Sequence, residues 1–348
     1  MERKLAECEH MDSTLSESAH KNRTQTDSIQ PDGTQTNSTQ PEHELVVSRA
    51  GGNFDSVQAA VDSIPEHAPY RTVITVRQGT YTEKLRINKP NLHLRGEGEV
   101  VFRYDDYAAK PGEDGNPVGT YGSASTYITG DNVKVENITF VNSAGPSERV
   151  AQAVALYVDA DRVAFYGCTF IGEQDTLYLG RPKEQENNRT ARNYFAGCTI
   201  IGDIDFIFGS ATAWFEDCTI ISLDKGKEIN GYITAAATPV DKRTGFVFRN
   251  CLLTGEAGPD SVYLGRPWRD YAKTVFIDCE MGGHIRREGW HDWDKASAWT
   301  TVRYGEAGSH GPGANDAGRT AWSRRMSEKE LEAYTLEACF DGDTSWIF

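Results

Sequence analysis

The sequence predicts an all-β protein, a parallel β-helix in which short strands stack coil upon coil. Two observations carry this prediction: a six-copy internal repeat, and short β-type runs separated by Gly, Pro or Asn with no long helical pattern between them. The 348 residues are 38% hydrophobic and include 33 Gly, so the chain can bury a sizeable core and make many turns. Short helices are expected near the two ends, with little helix elsewhere.

The internal repeat is a six-residue segment that begins with Phe or Val and usually has Cys at its fourth position. Its fourth positions are separated by 30, 30, 20, 33 and 28 residues, which is the period range of a solenoid. Each copy is expected to form one coil that turns an apolar side inward, with coils about 4.8 Å apart. The copies begin at Val135, Phe165, Phe195, Phe215, Phe248 and Phe276.

The repeat cysteines are interpreted as an interior ladder of small hydrophobic groups, since their spacing matches no metal-binding motif. A disulfide between Cys198 and Cys218, on the shortest coil, is the alternative in an oxidising medium. The total of 7 cysteines is odd, which fits a reducing compartment. The members of the ladder are Cys168, Cys198, Cys218, Cys251 and Cys279.

Residues 1–43 are expected to form a disordered tail, because they hold few large apolar groups and repeat a polar segment ten residues apart. Residues 44–348 are expected to form the β-helix domain. The amino terminus lacks the apolar region of a signal peptide, so the chain is predicted to be cytoplasmic; the alternative is secretion through a start or route that the sequence does not represent.

Local patterns place the first and last elements. A helix is expected after Asp55 as its N-cap, with apolar residues at helical spacing up to Ile64 and a stop at Pro65. Strands are expected at residues 72–76, 92–94 and 133–135. Near the carboxyl end, Ser327 and Glu330 form the sequence signature of a capping box.

Charge limits the partners. The chain has 36 basic and 51 acidic residues, a net charge of −15, which repels nucleic acid and anionic membranes. No apolar run is long enough to cross a membrane. We expect a monomer that binds neither.

Two aspartates share one register in the repeat. Asp175 lies seven residues after Cys168, and Asp205 lies seven residues after Cys198. Carboxylates that meet on adjacent coils repel when both are ionised, so one pKa rises and the pair can divide the roles of acid and nucleophile. Two solvated turn aspartates are the alternative. The apolar residues 206–208 after Asp205 argue against it, and Gln174 supplies an amide able to donate to an oxyanion.

Five short sequence blocks occur in order along the chain. They are Gly79-Thr80-Tyr81-Thr82-Glu83, Gln152-Ala153-Val154-Ala155-Leu156, Gln174-Asp175-Thr176-Leu177, Asp205-Phe206-Ile207-Phe208-Gly209 and Leu264-Gly265-Arg266-Pro267-Trp268. Through these blocks the sequence resembles the pectin methylesterases (pectinesterases), which are carbohydrate esterases that use aspartate, and the resemblance covers residues 45 to 348.

The resemblance implies a right-handed β-helix that hydrolyses the C6 methyl ester of galacturonate in pectin or oligogalacturonides, without metal or cofactor. In this family pattern Asp205 is the nucleophile and Asp175 is the proton donor and later the base. Gln152 and Gln174 donate to the oxyanion, and Arg266 orients Asp205. The implied roles are cell wall modification and pectin catabolism.

The resemblance also implies that Trp268, Trp290 and Phe208 contact the sugar, with core packing as the alternative for all three. The chain departs from the plant pattern at Glu173, where plant members commonly carry Tyr. We expect this departure to add a negative charge beside the aspartate pair. The rival functions are a pectate lyase, a polygalacturonase and a β-helix that only binds glycan, and the paired glutamines and the Arg266 block favour the esterase.

Overall fold

Parallel strands wind into three ladders in the computed structural model, which describes residues 42–180 and 191–347. The first strand begins at Glu42. The predicted disordered tail and the cytoplasmic prediction rest almost entirely on residues 1–41, which lie outside the described residues. Within the described residues no helix is long and apolar enough to span a membrane.

Each ladder of parallel strands forms one face of the coil. The strands are numbered in chain order. The first ladder runs through β1 (Glu42–Val47), β2 (Arg71–Thr82), β4 (Leu92–Tyr104), β6 (Val133–Glu136), β9 (Val163–Tyr166), β12 (Arg192–Ala196), β15 (Thr212–Glu216), β18 (Phe246–Arg249), β21 (Lys273–Ile277), β23 (Arg303–Ala307) and β24 (Arg324–Arg325). The second branches from β4 through β7 (Thr139–Asn142), β10 (Thr169–Ile171), β13 (Thr199–Gly202), β16 (Thr219–Ser222), β19 (Leu252–Gly255) and β22 (Glu280–Met281).

The third ladder is a separate sheet of seven strands. It contains β3 (Leu85–Ile87), β5 (Thr126–Ile128), β8 (Leu156–Val158), β11 (Leu177–Leu179), β14 (Ile204–Gly209), β17 (Gly231–Ala236) and β20 (Val262–Gly265). Every pairing between these strands is parallel. The predicted right-handed parallel β-helix is confirmed, and the three predicted runs lie in β2, β4 and β6.

The repeat sequence accounts for the interior. Parallel pairing aligns the first repeat positions of successive coils, so their rings stack with centroids 4.4–4.7 Å apart. Offset or parallel ring contacts of this kind add to the burial of apolar area. The stacked rings are Phe165, Phe195, Phe215, Phe248 and Phe276, all fully buried.

The third repeat position turns the chain between two faces. It has a positive φ in each coil, from 52° at Asn250 to 59° at Gly197, and the repeat carries Asn, Gly or Asp there. Only Gly tolerates this left-handed conformation freely, and Asn and Asp tolerate it better than other residues. The sequence therefore specifies the turn through residue type as well as through spacing.

The repeat cysteines line the interior as free thiols. Each Sγ lies 3.5–3.7 Å from a carbonyl oxygen of the preceding coil, as Cys198 does from Phe165 and Cys218 from Phe195. Burial raises the pKa of Cys198 and Cys218 well above the usual thiol value. The ladder of small hydrophobic groups is therefore found, and the alternative disulfide is not.

These thiols are expected to be unreactive in the folded protein, because attack on a disulfide reagent requires an accessible thiolate. In a Cys8→Ala variant, less than one thiol per chain should react with an aromatic disulfide reagent under native conditions. The six described cysteines should all react after unfolding. A bond between Cys198 and Cys218, found by mass spectrometry of a non-reduced digest, would contradict the ladder.

The helices are short. They are α1 (Val57–Asp62), α2 (Gly119–Gly122), α3 (Ser147–Val150), α4 (Ala298–Thr301), α5 (Glu328–Leu331) and α6 (Leu336–Cys339). The N-cap of α1 is Ser56 and not the predicted Asp55, because the Ser56 hydroxyl accepts the Ala59 amide. The Glu83 carboxylate also accepts the amides of Val57 and Gln58 at this end. The predicted capping box of Ser327 and Glu330 begins α5.

Candidate active site

A cleft of about 520 Å³ lies on the outer face of the third ladder. Its lining combines two carboxylates, a guanidinium and two amides with aromatic rings, which is the mixture expected of a site for a polar ligand with apolar faces. The lining residues are Thr120, Tyr121, Gln152, Gln174, Asp175, Asp205, Phe208, Ala235, Arg266, Trp268 and Trp293.

A row of rings leads along the sheet into this cleft. Register aligns Tyr127, Tyr157, Tyr178 and Phe208 on consecutive strands, and neighbouring ring centroids lie 4.6–5.4 Å apart. The next position in the register is Ala235. Because Ala is small, the row of rings ends there and leaves room above the sheet.

Asp205 owes its outward direction to a β-bulge. The pairing of β14 with β17 shifts register between Ile204 and Ile207, and Asp205 has a φ of 52°. Phe206 and Ile207 both lie fully buried in the core, which strict alternation along a strand would forbid. A bulge redirects a side chain in this way, and bulges are common beside active sites.

Asp175 lies on the adjacent coil in the register that the repeat predicts. Leu177, two residues after Asp175, pairs with Ile207, two residues after Asp205. The Asp175 amide donates to the carbonyl of Ile204 at 3.0 Å. Asp175 has a φ of 64°, so both aspartates adopt the left-handed conformation. Asp175 and Asp205 are 8% and 6% exposed, and the alternative of two solvated turn residues does not fit.

Arg266 reaches Asp205 from two coils away. Its Nε and Nη2 donate to the two oxygens of Asp205 at 2.8 and 2.7 Å, a bidentate ion pair. The guanidinium lies 3.8 Å from the ring centroids of both Tyr232 and Trp293. These rings hold the cation flat between them, so Arg266 is fixed before any ligand binds.

The two carboxyl groups differ in electrostatic environment. Burial raises the pKa of Asp175 well above its usual value, and the negative charge of Asp205 adds to the rise. Burial also raises the pKa of Asp205, but the hydrogen bonds and the charge of Arg266 oppose that rise. Asp175 therefore holds its proton to higher pH than Asp205, which separates an acid from a carboxylate.

The two predicted glutamines enter the cleft from consecutive coils. The Ala153 amide donates to the Gln174 carbonyl at 3.1 Å, which sets Gln152 beside Gln174. Gln174 directly precedes Asp175. Two neutral amides beside a carboxylate pair can stabilise negative charge that develops on a ligand oxygen.

Of the three aromatic residues predicted to contact the sugar, two line the cleft and one does not. Trp268 and Phe208 line the cleft with ring centroids 5.8 Å apart. Trp290 does not: it is 1% exposed, stacks on Tyr304 and donates its Nε1–H to Glu306. The predicted sugar contact of Trp290 is wrong, because a side chain enclosed in the core cannot reach a ligand. Trp293, three residues later, lines the cleft instead.

The negative charge expected at Glu173 is present, but an ion pair neutralises it. Its carboxylate lies 2.5 Å from the Lys225 ammonium and accepts the Ser147 amide at 2.7 Å. Glu173 does not line the cleft. Its charge is therefore ion-paired next to the turn that carries Gln174 and Asp175, and it does not face the cleft.

One group of possible metal ligands adjoins the cleft among the described residues. Ligand atoms of His291, Asp292 and Asp294 lie within 4.8 Å of one another. His291 Nδ1 accepts the Trp293 amide, and the two Asp292 oxygens accept the Asp294 amide and the Nε1–H of Trp299. These bonds fix the loop that presents Trp293 to the cleft.

Comparisons with known proteins agree with this architecture. A family model described as Pectinesterase matches residues 44–343. Pectinesterase 31 of Arabidopsis thaliana is 36% identical over 313 residues, which cover 86% of this chain and 94% of that protein. The structure of a pectin methylesterase from carrot has a TM-score of 0.75 and 31% identity and covers 86% of this chain and 93% of the carrot chain.

A second solved structure is a pectin methylesterase mutant in complex with a hexasaccharide. It has a TM-score of 0.75 and 28% identity to this chain, and it covers 87% of this chain and 98% of the other.

Proposed function

Because this chain belongs to the pectinesterase family, we propose that it hydrolyses the C6 methyl ester of galacturonate in pectin or oligogalacturonides. The products are methanol and a free carboxylate. The observation that carries the proposal is the bidentate ion pair of Arg266 with Asp205, next to a buried Asp175 and two cleft glutamines.

In the first half-reaction an Asp205 oxygen attacks the ester carbonyl carbon and forms a new C–O bond. The carbonyl oxygen becomes an oxyanion that accepts hydrogen bonds from the amides of Gln152 and Gln174. Collapse of this intermediate breaks the bond to the methoxy oxygen. Asp175 donates its proton to that oxygen, so methanol leaves and an acyl-enzyme on Asp205 remains.

In the second half-reaction Asp175 is a carboxylate and accepts a proton from water. The water oxygen attacks the acyl carbon, and Asp205 leaves as a carboxylate. Arg266 stabilises that leaving charge through both oxygens. The cycle ends with Asp175 protonated and Asp205 ionised, as it began.

These roles fix the sign of the pH dependence. The rate should fall with decreasing pH as Asp205 takes up a proton, and its raised pKa moves this limb above the usual range for aspartate. The rate should fall again with increasing pH as Asp175 loses its proton, at a pKa well above the usual value. The profile is therefore a bell.

The cleft fits a glycan. Pyranose rings present flat apolar faces, which pack on aromatic side chains while their hydroxyl groups point sideways. Trp268 and Trp293 offer such faces, and a relative of this chain was solved with a hexasaccharide. We propose a methylated homogalacturonan chain as the ligand. A monomer that binds neither nucleic acid nor membrane stays a prediction.

Product analysis tests the reaction. Incubation with methylated oligogalacturonide and a calcium chelator should release methanol and new carboxylate in a one-to-one ratio, with chain length unchanged. Unsaturated ends that form only in a parallel incubation with added calcium would identify a lyase, and new reducing ends would identify a glycosidase. Binding without any product would identify a protein that only binds glycan.

The two tryptophans should separate binding from stability. Trp268→Ala is expected to raise KM about tenfold with little change in Tm, because it removes an exposed ring face from the cleft. Trp290→Ala is expected to lower the free energy of unfolding by about 3–5 kcal/mol, because it leaves a cavity in the core. Steady-state kinetics and denaturant unfolding on both variants check this. An unchanged KM in Trp268→Ala would remove that ring from the binding site.

A further inference from the structure

A single lysine lies beneath the turns that carry the two aspartates. The Lys225 ammonium is 2.5 Å from Glu173, 3.0 Å from Glu148 and 3.2 Å from Asp203. The Lys225 side chain is 8% exposed and that of Asp203 is 0% exposed. One buried cation thus faces three carboxylates, and we call these four residues the Lys225 cluster.

Each acid of the Lys225 cluster belongs to a segment of the candidate site. Glu173 precedes Gln174 and Asp175 in the chain. Asp203 accepts the Ile204 amide at 2.6 Å, and Asp205 follows. These short connections leave little freedom between the ion pairs and the aspartates.

The third segment is α3, which contains Glu148 and precedes Gln152. Its first residue, Ser147, donates its amide to Glu173 at 2.7 Å and its hydroxyl to Asp203 at 2.5 Å. The segments that carry Gln152, Gln174, Asp175 and Asp205 therefore converge on one ammonium group.

The loop that supplies Lys225 is itself fixed. The Lys225 amide donates to the side-chain oxygen of Asn230 at 2.7 Å, and the Asn230 side-chain amide donates to the Leu223 carbonyl. Although burial lowers the pKa of Lys225, hydrogen bonds with Glu173 and Glu148 raise it above the usual value, so the lysine is charged. Its cation is held in place rather than free to follow a ligand.

We propose that Lys225 is a positioning residue for the ester hydrolysis: it holds the turns of Asp175 and Asp205 in register and balances the acidic charge behind them. This inference rests on the proposed function. Lys225 does not line the cleft, so it acts through Glu173 and Asp203 and not on the substrate.

The charges of the Lys225 cluster act on the pKa of both aspartates. The negative charge of Asp203 raises the pKa of both Asp175 and Asp205, although burial and the nearer charged partners have larger effects on these pKa values. Because Lys225 lies 3.2 Å from Asp203, we expect its positive charge to offset this effect. The other titratable or charged groups that face the pair are Arg266, Tyr121, Tyr232 and Tyr304, with Glu173 and Glu148 behind them.

Two substitutions of opposite sign test the proposal. Lys225→Met removes the cation, so the pKa of Asp205 rises and the acidic limb of the kcat profile should move to higher pH by at least about half a unit. Asp203→Asn removes an anion, so the same limb should move to lower pH. Lys225→Met should also lower kcat about 10–100-fold with KM changed less than threefold, since the turns lose their common partner.

Two further variants serve as controls. Lys225→Arg keeps the charge and should restore most of kcat and the wild-type profile. Lys227→Met removes an exposed cation from the same loop and should leave both unchanged. A role in folding alone would lower the yield or Tm of Lys225→Met and leave the pH limb of the folded fraction in place, which would overturn the proposal.

Different results would refute the proposed esterase function and the proposed role of Lys225. No methanol release from the wild-type protein would refute the esterase itself. An active wild-type protein with an unshifted Lys225→Met would refute only the role of Lys225. If Lys225→Met does not fold, Asp203→Asn decides: a limb that stays in place or moves to higher pH overturns the proposal.

Discussion

Asp205→Asn is expected to lower kcat/KM for a methylated oligogalacturonide by at least about 10³-fold, because an amide cannot attack the ester carbonyl. This is a loss of about 4 kcal/mol of transition-state stabilisation. The fold should persist, since Asn has nearly the volume of Asp and tolerates the φ of 52° at this position. Methanol release and circular dichroism measure the two effects.

The matched control is Asp217→Asn on the next coil. Asp217 is an exposed turn aspartate with a φ of 53°, so the substitution repeats the chemistry and the backbone conformation away from the cleft. Activity should stay within about twofold of wild type. A folded Asp205→Asn protein that retains more than about a tenth of wild-type activity would refute the nucleophile assignment.

Asp175→Asn is expected to lower kcat about 10²–10⁴-fold, the usual contribution of a general acid and base. The variant can neither protonate methanol nor activate the water. The limb on the alkaline side of the pH profile, which reports the raised pKa of Asp175, should disappear. Rates measured across the pH range in the same buffers as wild type check both effects.

The contrary result for Asp175→Asn is also specific. A variant that keeps the alkaline limb would assign that limb to another group and remove Asp175 from the role of acid. Asp217→Asn serves again as the control for an aspartate lost from a turn.

The sequence predicts the fold well because a solenoid repeats local information. Once the copies at Phe165 and Phe195 are aligned, parallel pairing follows, and the positions of Asp175 and Asp205 follow from counting residues. Stacked coils convert equal spacing in sequence into neighbourhood in space. This is why two distant aspartates could be assigned to one place.

Features outside the repeat were less predictable. Trp290 and Trp293 lie three residues apart, and only the conformation of the loop, with a φ of 56° at Trp293, decides which ring reaches the cleft. The partner of Glu173 lies 52 residues away, in a loop with no register to count from. The N-cap of α1 differed by one residue, a usual uncertainty at helix ends.

The bulge at Asp205 could not be predicted from the sequence for a different reason. The run of Phe206, Ile207 and Phe208 reads as a buried strand, and no residue in it marks an inserted position. The bulge follows from the pairing with β17, which depends on a loop of different length. The sequence therefore predicts the position of the Asp205 carboxylate but not the β-bulge that directs it outward.

We propose that Asp205 forms an acyl-enzyme that Asp175 helps to hydrolyse. Rapid mixing of Asp175→Asn with an aryl ester of galacturonate tests it most directly, because an aryl oxide leaves without a proton and only the second half-reaction is slowed. We expect a burst of about one aryl alcohol per active site, ahead of acid formation. Release that is linear from the first turnover, with acid formed at the same rate, would contradict the account.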